Sequence, residues 1–230
     1  MPHFHFRGPL PEESKLFVGR KTELKRVREL CMGPLRSYVM LVGARQMGKT
    51  SFLYRLRKEL SPCSPSVLIN LQVIPGAMPP GLFRFMATEI VKQLELSSLL
   101  SAADTRNSGP GLQRLLPDLP DRIGKVTILV DEMAALPPNT AIHMANVLRA
   151  MFSHRLLPGF EALGRFLFLV TGGAELLDLS SAVVSPLVNI VTRIRLPDLT
   201  PSQVRRMLAY GFAGTPMKVG LLLDLADAIY

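Results

Sequence analysis

The run Gly43-Ala44-Arg45-Gln46-Met47-Gly48-Lys49-Thr50 follows the spacing G-x-x-x-x-G-K-[ST], and no other feature restricts the fold of this chain so closely. Tyr38-Val39-Met40-Leu41-Val42, a short β-branched and apolar stretch, stands before it, and Ser51 to Leu60 reads as a helix. A glycine loop with Lys-Thr between a buried strand and a helix is an arrangement that wraps phosphates. Gly43 and Gly48 admit backbone conformations closed to residues with a Cβ, so that successive N–H groups turn toward phosphate oxygens. The helix that starts near Lys49 adds the positive end of its dipole. Lys49 is expected to set an ammonium against the β- and γ-phosphates, and Thr50 to offer its hydroxyl to Mg²⁺. Arg45, Gln46 and Met47 shape the loop. Gly43, Ala44, Arg45, Gln46, Met47, Gly48, Lys49, Thr50 and Ser51 are together assigned to nucleotide binding.

A second strand end belongs to this site. Val126-Thr127-Ile128-Leu129-Val130-Asp131-Glu132 is an apolar run closed by two acids. Ligands of parallel sheets bind where the strands end, so Asp131 is expected beside Thr50, holding Mg²⁺ through water. Glu132 then stands where it can orient and deprotonate an attacking water. Arg165-Phe166-Leu167-Phe168-Leu169-Val170-Thr171-Gly172-Gly173 is another buried strand with a polar end. The Thr171 hydroxyl either reaches the γ-phosphate and the lytic water or satisfies nearby backbone. Alternating strands and helices around such a loop predict an α/β fold, a parallel sheet with helices on both faces.

Other segments read less sharply. Residues 1–16 are Pro-rich and polar, a lead-in, with His3 and His5 in a tail that lacks metal-type partners. A helix is expected from Thr22, as its cap, to Cys31. Ser66 to Ile74 reads as a second strand, broken by Pro75 to Pro80, and Phe83 to Leu96 as a helix. Ser97 to Pro120 is expected to be mobile around a short helix near Leu112–Leu116. A helix follows from about Thr140 to Arg155. Val191 to Leu196 is a last short strand, and Thr200-Pro201-Ser202-Gln203 opens a helix with Pro in its first turn. There is no internal repeat.

Composition excludes several classes. Nearly half the residues are apolar and the charge is moderate, as in a folded domain. No apolar stretch approaches a membrane span, and the start lacks a signal peptide's long apolar region, which predicts a cytoplasmic protein. Cys31 and Cys63 lack metal-type spacing and read as thiols. The net charge of +9 is uneven: residues 1–60 hold 13 Lys/Arg and 5 Asp/Glu, the rest 14 and 13. The basic part is therefore the phosphate-loop part. Clustered cations there allow a nucleic-acid surface, but no base-reading motif or aromatic stacking set accompanies them, and solvated helix faces explain the same residues.

Four stretches resemble the AAA+-like P-loop ATPases, and within them the STAND signalling group with its bacterial AAA-like ATPase domains. They are Phe17-Val18-Gly19-Arg20 ahead of a helix, the phosphate loop, the strand ending Asp131-Glu132, and Ser185-Pro186-Leu187 leading to Ile194-Arg195-Leu196-Pro197-Asp198-Leu199-Thr200. The resemblance casts Phe17, Val18 and Gly19 as contacts of the adenine base, and position 171 as the polar sensor of the fourth strand. It implies an ATPase core over residues 17–199, and the beginning of a helical lid over 200–230. Because the chain stops inside an apparent helix, Lys218 to Tyr230, a longer lid is expected. Arg193 stands where an arginine finger or phosphate sensor lies in such proteins, or is a surface arginine beside a strand. The resemblance implies ATP and Mg²⁺ as ligands and slow hydrolysis to ADP and phosphate. It further implies partners in attached effector or sensor domains or in further copies of the chain. The alternative is a nucleic-acid-binding ATPase of the loader or transposition-helper kind, using the basic first 60 residues.

Overall fold

The computed structural model describes residues 8–33, 37–74, 76–173 and 186–213. His3, His5, Ser185 and the helix expected over Lys218 to Tyr230 lie outside them. The strands are β1 (Tyr38–Val42), β2 (Ser66–Asn70), β3 (Val126–Asp131), β4 (Phe166–Gly172) and β5 (Val191–Arg195). They form one parallel sheet in the order β2-β3-β4-β1-β5. Its three central strands are buried at every position, whereas the edge strands β2 and β5 are only partly covered. That difference explains their composition: strands covered on both faces can be apolar throughout, and edges cannot.

Successive side chains of a strand leave by opposite faces, so each strand feeds two cores. Tyr38, Met40 and Val42 of β1 join Ile128 and Val130 of β3 beneath α3 (Pro79–Gln93), α5 (Gly109–Asp118) and α6 (Pro138–His154). Val39 and Leu41 join Leu129, Leu167 and Leu169 beneath α1 (Lys21–Met32) and α2 (Lys49–Leu60). The fold is therefore the expected α/β sandwich.

Several local expectations need correction. β2 stops at Asn70, whose side-chain oxygen accepts the Gln72 N–H at 2.9 Å and turns Leu71–Val73 into a 3₁₀ turn. Pro79 and Pro80 open α3, where a missing N–H costs nothing. Thr22 caps nothing: α1 begins at Lys21 after Arg20, with no side-chain cap. Residues 97–120 hold α4 (Leu100–Asp104) and α5, and Leu112, Leu115 and Leu116 are buried in the larger core. The apolar spacing within α5 outweighs the Ser/Gly/Pro composition around it.

Thr200 does cap the last described helix, α7 (Pro201–Gly211). Its hydroxyl accepts the Gln203 N–H while the Gln203 side chain accepts the Thr200 N–H, a reciprocal capping box. Cys31 is buried and Cys63 exposed, with no disulfide between them. Among the described residues no helix is long and apolar enough to cross a membrane.

Candidate functional site

Strand order brings the expected residues together. β4 lies between β1 and β3, with Leu41 opposite Thr171 and Val130 opposite Val170. The phosphate loop, Thr171 and Asp131 therefore leave adjacent strands at one edge of the sheet. Thr50 donates its hydroxyl proton to Asp131 Oδ2 at 2.6 Å, and Thr171 donates to Asp131 Oδ1 at 2.5 Å. Asp131 is 1% exposed, and hydroxyl donors on both oxygens are what allow a carboxylate to be buried. With its proton committed to Asp131, the Thr50 oxygen keeps lone pairs for a cation.

Thr171 has a second bond: its oxygen accepts the N–H of Glu132 at 3.1 Å. Glu132 sits in the left-handed region at φ 57°, an unusual conformation for a residue with a Cβ. The Thr171 bond holds that turn, and the Glu132 residue there is partly exposed. Thr171 thus serves the acidic pair with both its donor and an acceptor lone pair, so of the two expected uses the structure displays the satisfaction of neighbouring groups.

In the loop, Gly48 takes φ +80°, and space lies open where its Cβ would stand. Among the described residues, the N–H groups of Gly48, Lys49, Thr50 and Ser51 meet no acceptor. Four converging donors at the start of a 12-residue helix suit an anion. Lys49 is buried, and its ammonium donates to the Gly43 and Ala44 carbonyls at 3.0 and 2.9 Å, its third donor meeting no partner among the described residues. The donor set fits a nucleotide polyphosphate with a hard cation at Thr50 and Asp131. No cluster of three metal-ligating side chains occurs among the described residues, and Mg²⁺ needs none, because it keeps waters and shares phosphate oxygens.

The turn expected to hold the base lies close by. Phe17, Val18 and Gly19 line a cavity of 630 Å³ together with Gln203, Arg206 and Tyr210 of α7. The Phe17 ring also packs on Phe52 of α2, centroids 6.5 Å apart, with the Arg55 guanidinium 5.3 Å from its centre. Ser51 has a further partner: its hydroxyl accepts the Leu10 N–H at 2.8 Å, tying the lead-in to α2. Arg55 donates to the Ser14 carbonyl at 3.0 Å and Lys58 pairs with Glu13, so the lead-in is strapped along that helix. Beside Lys58, the Glu13 carboxyl is held below the ordinary carboxylate range.

Arg193 does not join the cluster. It lies within β5, opposite Met40 and two positions short of the strand's end, with its side chain exposed. Arg20, given no role on sequence grounds, is buried beside the loop. Its guanidinium donates to the Pro197 carbonyl and, at 3.5 Å, to that of Met47. The one sequence signal for it is its place directly after Gly19.

Sheet order, loop and acidic strand end define the P-loop ATPase fold. No family model and no curated protein sequence matches the chain. Among solved structures, the Walker-type ATPase of Pyrococcus abyssi superposes with a TM-score of 0.71 at 17% identity, over 97% of this chain and 66% of that one. The ORC2 protein of Aeropyrum pernix, in complexes with ADPNP and ADP, gives 0.68 at 14% identity, over 98% and 59%. The ORC1 protein of the same organism, in complex with DNA, gives 0.62 at 16%, over 94% and 56%. The chain thus spans between about half and two thirds of the length of these proteins and shares the fold of the part on which it superposes.

Proposed function

We propose that this chain is a Mg·ATP-binding, slowly hydrolysing ATPase domain that acts as a nucleotide-controlled switch in a cytoplasmic signalling or regulatory protein. The observation that carries the reading is the cluster of Lys49, Thr50, Asp131 and Thr171 at one sheet edge, beside four N–H groups that meet no acceptor among the described residues. Gly43 to Ser51 hold the phosphates, Phe17 to Gly19 the base, and residues 17–199 form the core. Residues from 200 onward begin a lid. Thr50 and, through water, Asp131 would hold Mg²⁺, which when bound neutralises charge on the β- and γ-phosphates. Glu132 directs the water, and Thr171 keeps Asp131 and Glu132 in place. Arg193, exposed on the edge strand, is assigned as a phosphate contact in trans to a neighbouring copy. Attached effector or sensor domains would read the nucleotide state.

The test is calorimetric titration of ATP into the full chain and its Lys49→Ala variant. Binding should fall below detection in the variant, and equal affinities would sink the assignment.

A second reading, an ATPase that binds nucleic acid, is favoured by the surplus of eight positive charges in residues 1–60. Four of those cations already have partners inside the fold: Arg20, Lys49, Arg55 and Lys58. This places the second reading behind the first.

A further inference from the structure

The phosphate loop, the base turn and the start of α7 meet at one buried cation. Arg20 follows Gly19, whose φ of +71° favours glycine, and a Cβ there would lie 2.4 Å from the far end of the Gln203 side chain. That side chain is the one that closes the capping box of α7. Gly43, at the other end of the loop, packs against Leu196, and the Leu196 N–H donates to the Val42 carbonyl at 2.8 Å. The segment from Leu196 to Gln203 therefore touches the loop at one end and the base turn at the other, with Arg20 between them.

We propose that Arg20 is a positioning residue that sets the Gly48 N–H toward the phosphate and makes the position of α7 depend on it. In a planar trans peptide the carbonyl and the following N–H point in opposite directions. Holding the Met47 carbonyl toward Arg20 therefore aims the Gly48 N–H to the other side, where it meets no acceptor among the described residues. The same guanidinium holds the Pro197 carbonyl three residues before the cap of α7. A rigid fork of donors suits this bridge between two carbonyls, and a lysine cannot span both in the same plane. Burial pulls the Arg20 guanidinium below its ordinary value, while Glu23 and Asp198 act in the opposite direction. It stays charged, and charge strengthens both bonds.

The inference rests on the ATP-binding reading and can fail separately from it. Hydrogen exchange over residues 196–211 and ATP affinity would be measured on the full chain and on Arg20→Met, each at saturating Mg·ATP. ATP should slow exchange in the first turn of α7 of the unaltered chain by about tenfold. The variant should bind ATP about tenfold more weakly and show no such slowing even at saturation. A merely structural arginine would lower stability and leave the ATP-dependent slowing in place, so slowing equal to that of the unaltered chain overturns the inference. An unaltered chain that binds ATP without slowing also overturns it, and one that does not bind ATP overturns the reading beneath. Should Arg20→Met not fold, Arg20→Lys takes its place. Weaker binding with partial slowing is expected, and behaviour equal to the unaltered chain refutes the bridge.

Discussion

Two threonines decide how the acids of this site behave. Thr50 and Thr171 each donate to Asp131, and Thr171 also receives the N–H of Glu132. Thr171→Val keeps the shape, leaves the Glu132 N–H unbonded and strips one donor from a buried carboxylate. Each such loss costs about 1–3 kcal/mol. We expect urea unfolding to show a stability loss of about 2 kcal/mol or more, with ATP turnover falling alongside. Glu132→Gln has a different signature, since the amide keeps the shape and loses only the base. ATP should remain bound while phosphate release drops by at least about a hundredfold. Unchanged release would remove Glu132 from the role. Lys49, Thr50 and Asp131 were identifiable from sequence because their residue types are unusual in such places: a lysine opening a helix, an acid ending a strand. Arg20 was not, because its partners are the carbonyls of Met47 and Pro197, and any residue carries a carbonyl.

At the scale of elements, close packing of α5 on α6 replaces the mobile stretch that composition suggested. Gly109 opens α5 against Val147 of α6, and a Cβ at Gly109 would lie 2.2 Å from a Val147 methyl carbon. Gly109→Ala should therefore destabilise by about 1–3 kcal/mol through overpacking. Val147→Ala in the same chain should restore most of that loss, although it removes buried methyls itself. Thermal melting of the two single variants and the double variant measures the coupling, and strict additivity would show that the helices do not meet there. Helix existence was readable wherever apolar spacing ran long, as in α2 and α6. Ends were missed where a side chain redirected the backbone, as Asn70 does after β2, or where two prolines marked a start, as Pro79 and Pro80 do in α3.

For the whole molecule, charge and topology matter most. The basic excess of the first 60 residues is partly spent in strapping the lead-in to α2, and exposed cations such as Lys21, Arg26 and Arg28 remain on α1. Gel retardation of duplex and single-stranded DNA over a salt series should show weak binding that vanishes near about 150 mM salt, the mark of diffuse attraction. Tight binding that persists there would instead favour the nucleic-acid reading. The sequence alone determined the phosphate loop, the acidic strand end and a parallel sheet covered on both faces. Each is a local matter: a strand's burial is written in its own apolar run, and a loop's conformations in its own glycines. Only the tertiary structure decided that β4 lies between β1 and β3, that Thr171 clamps both acids, and that Arg193 stands apart from them. It alone joined Arg20 to both the loop and the approach to α7. Strand order and contacts to main-chain carbonyls depend on how distant segments pack, and local residue patterns carry no record of them.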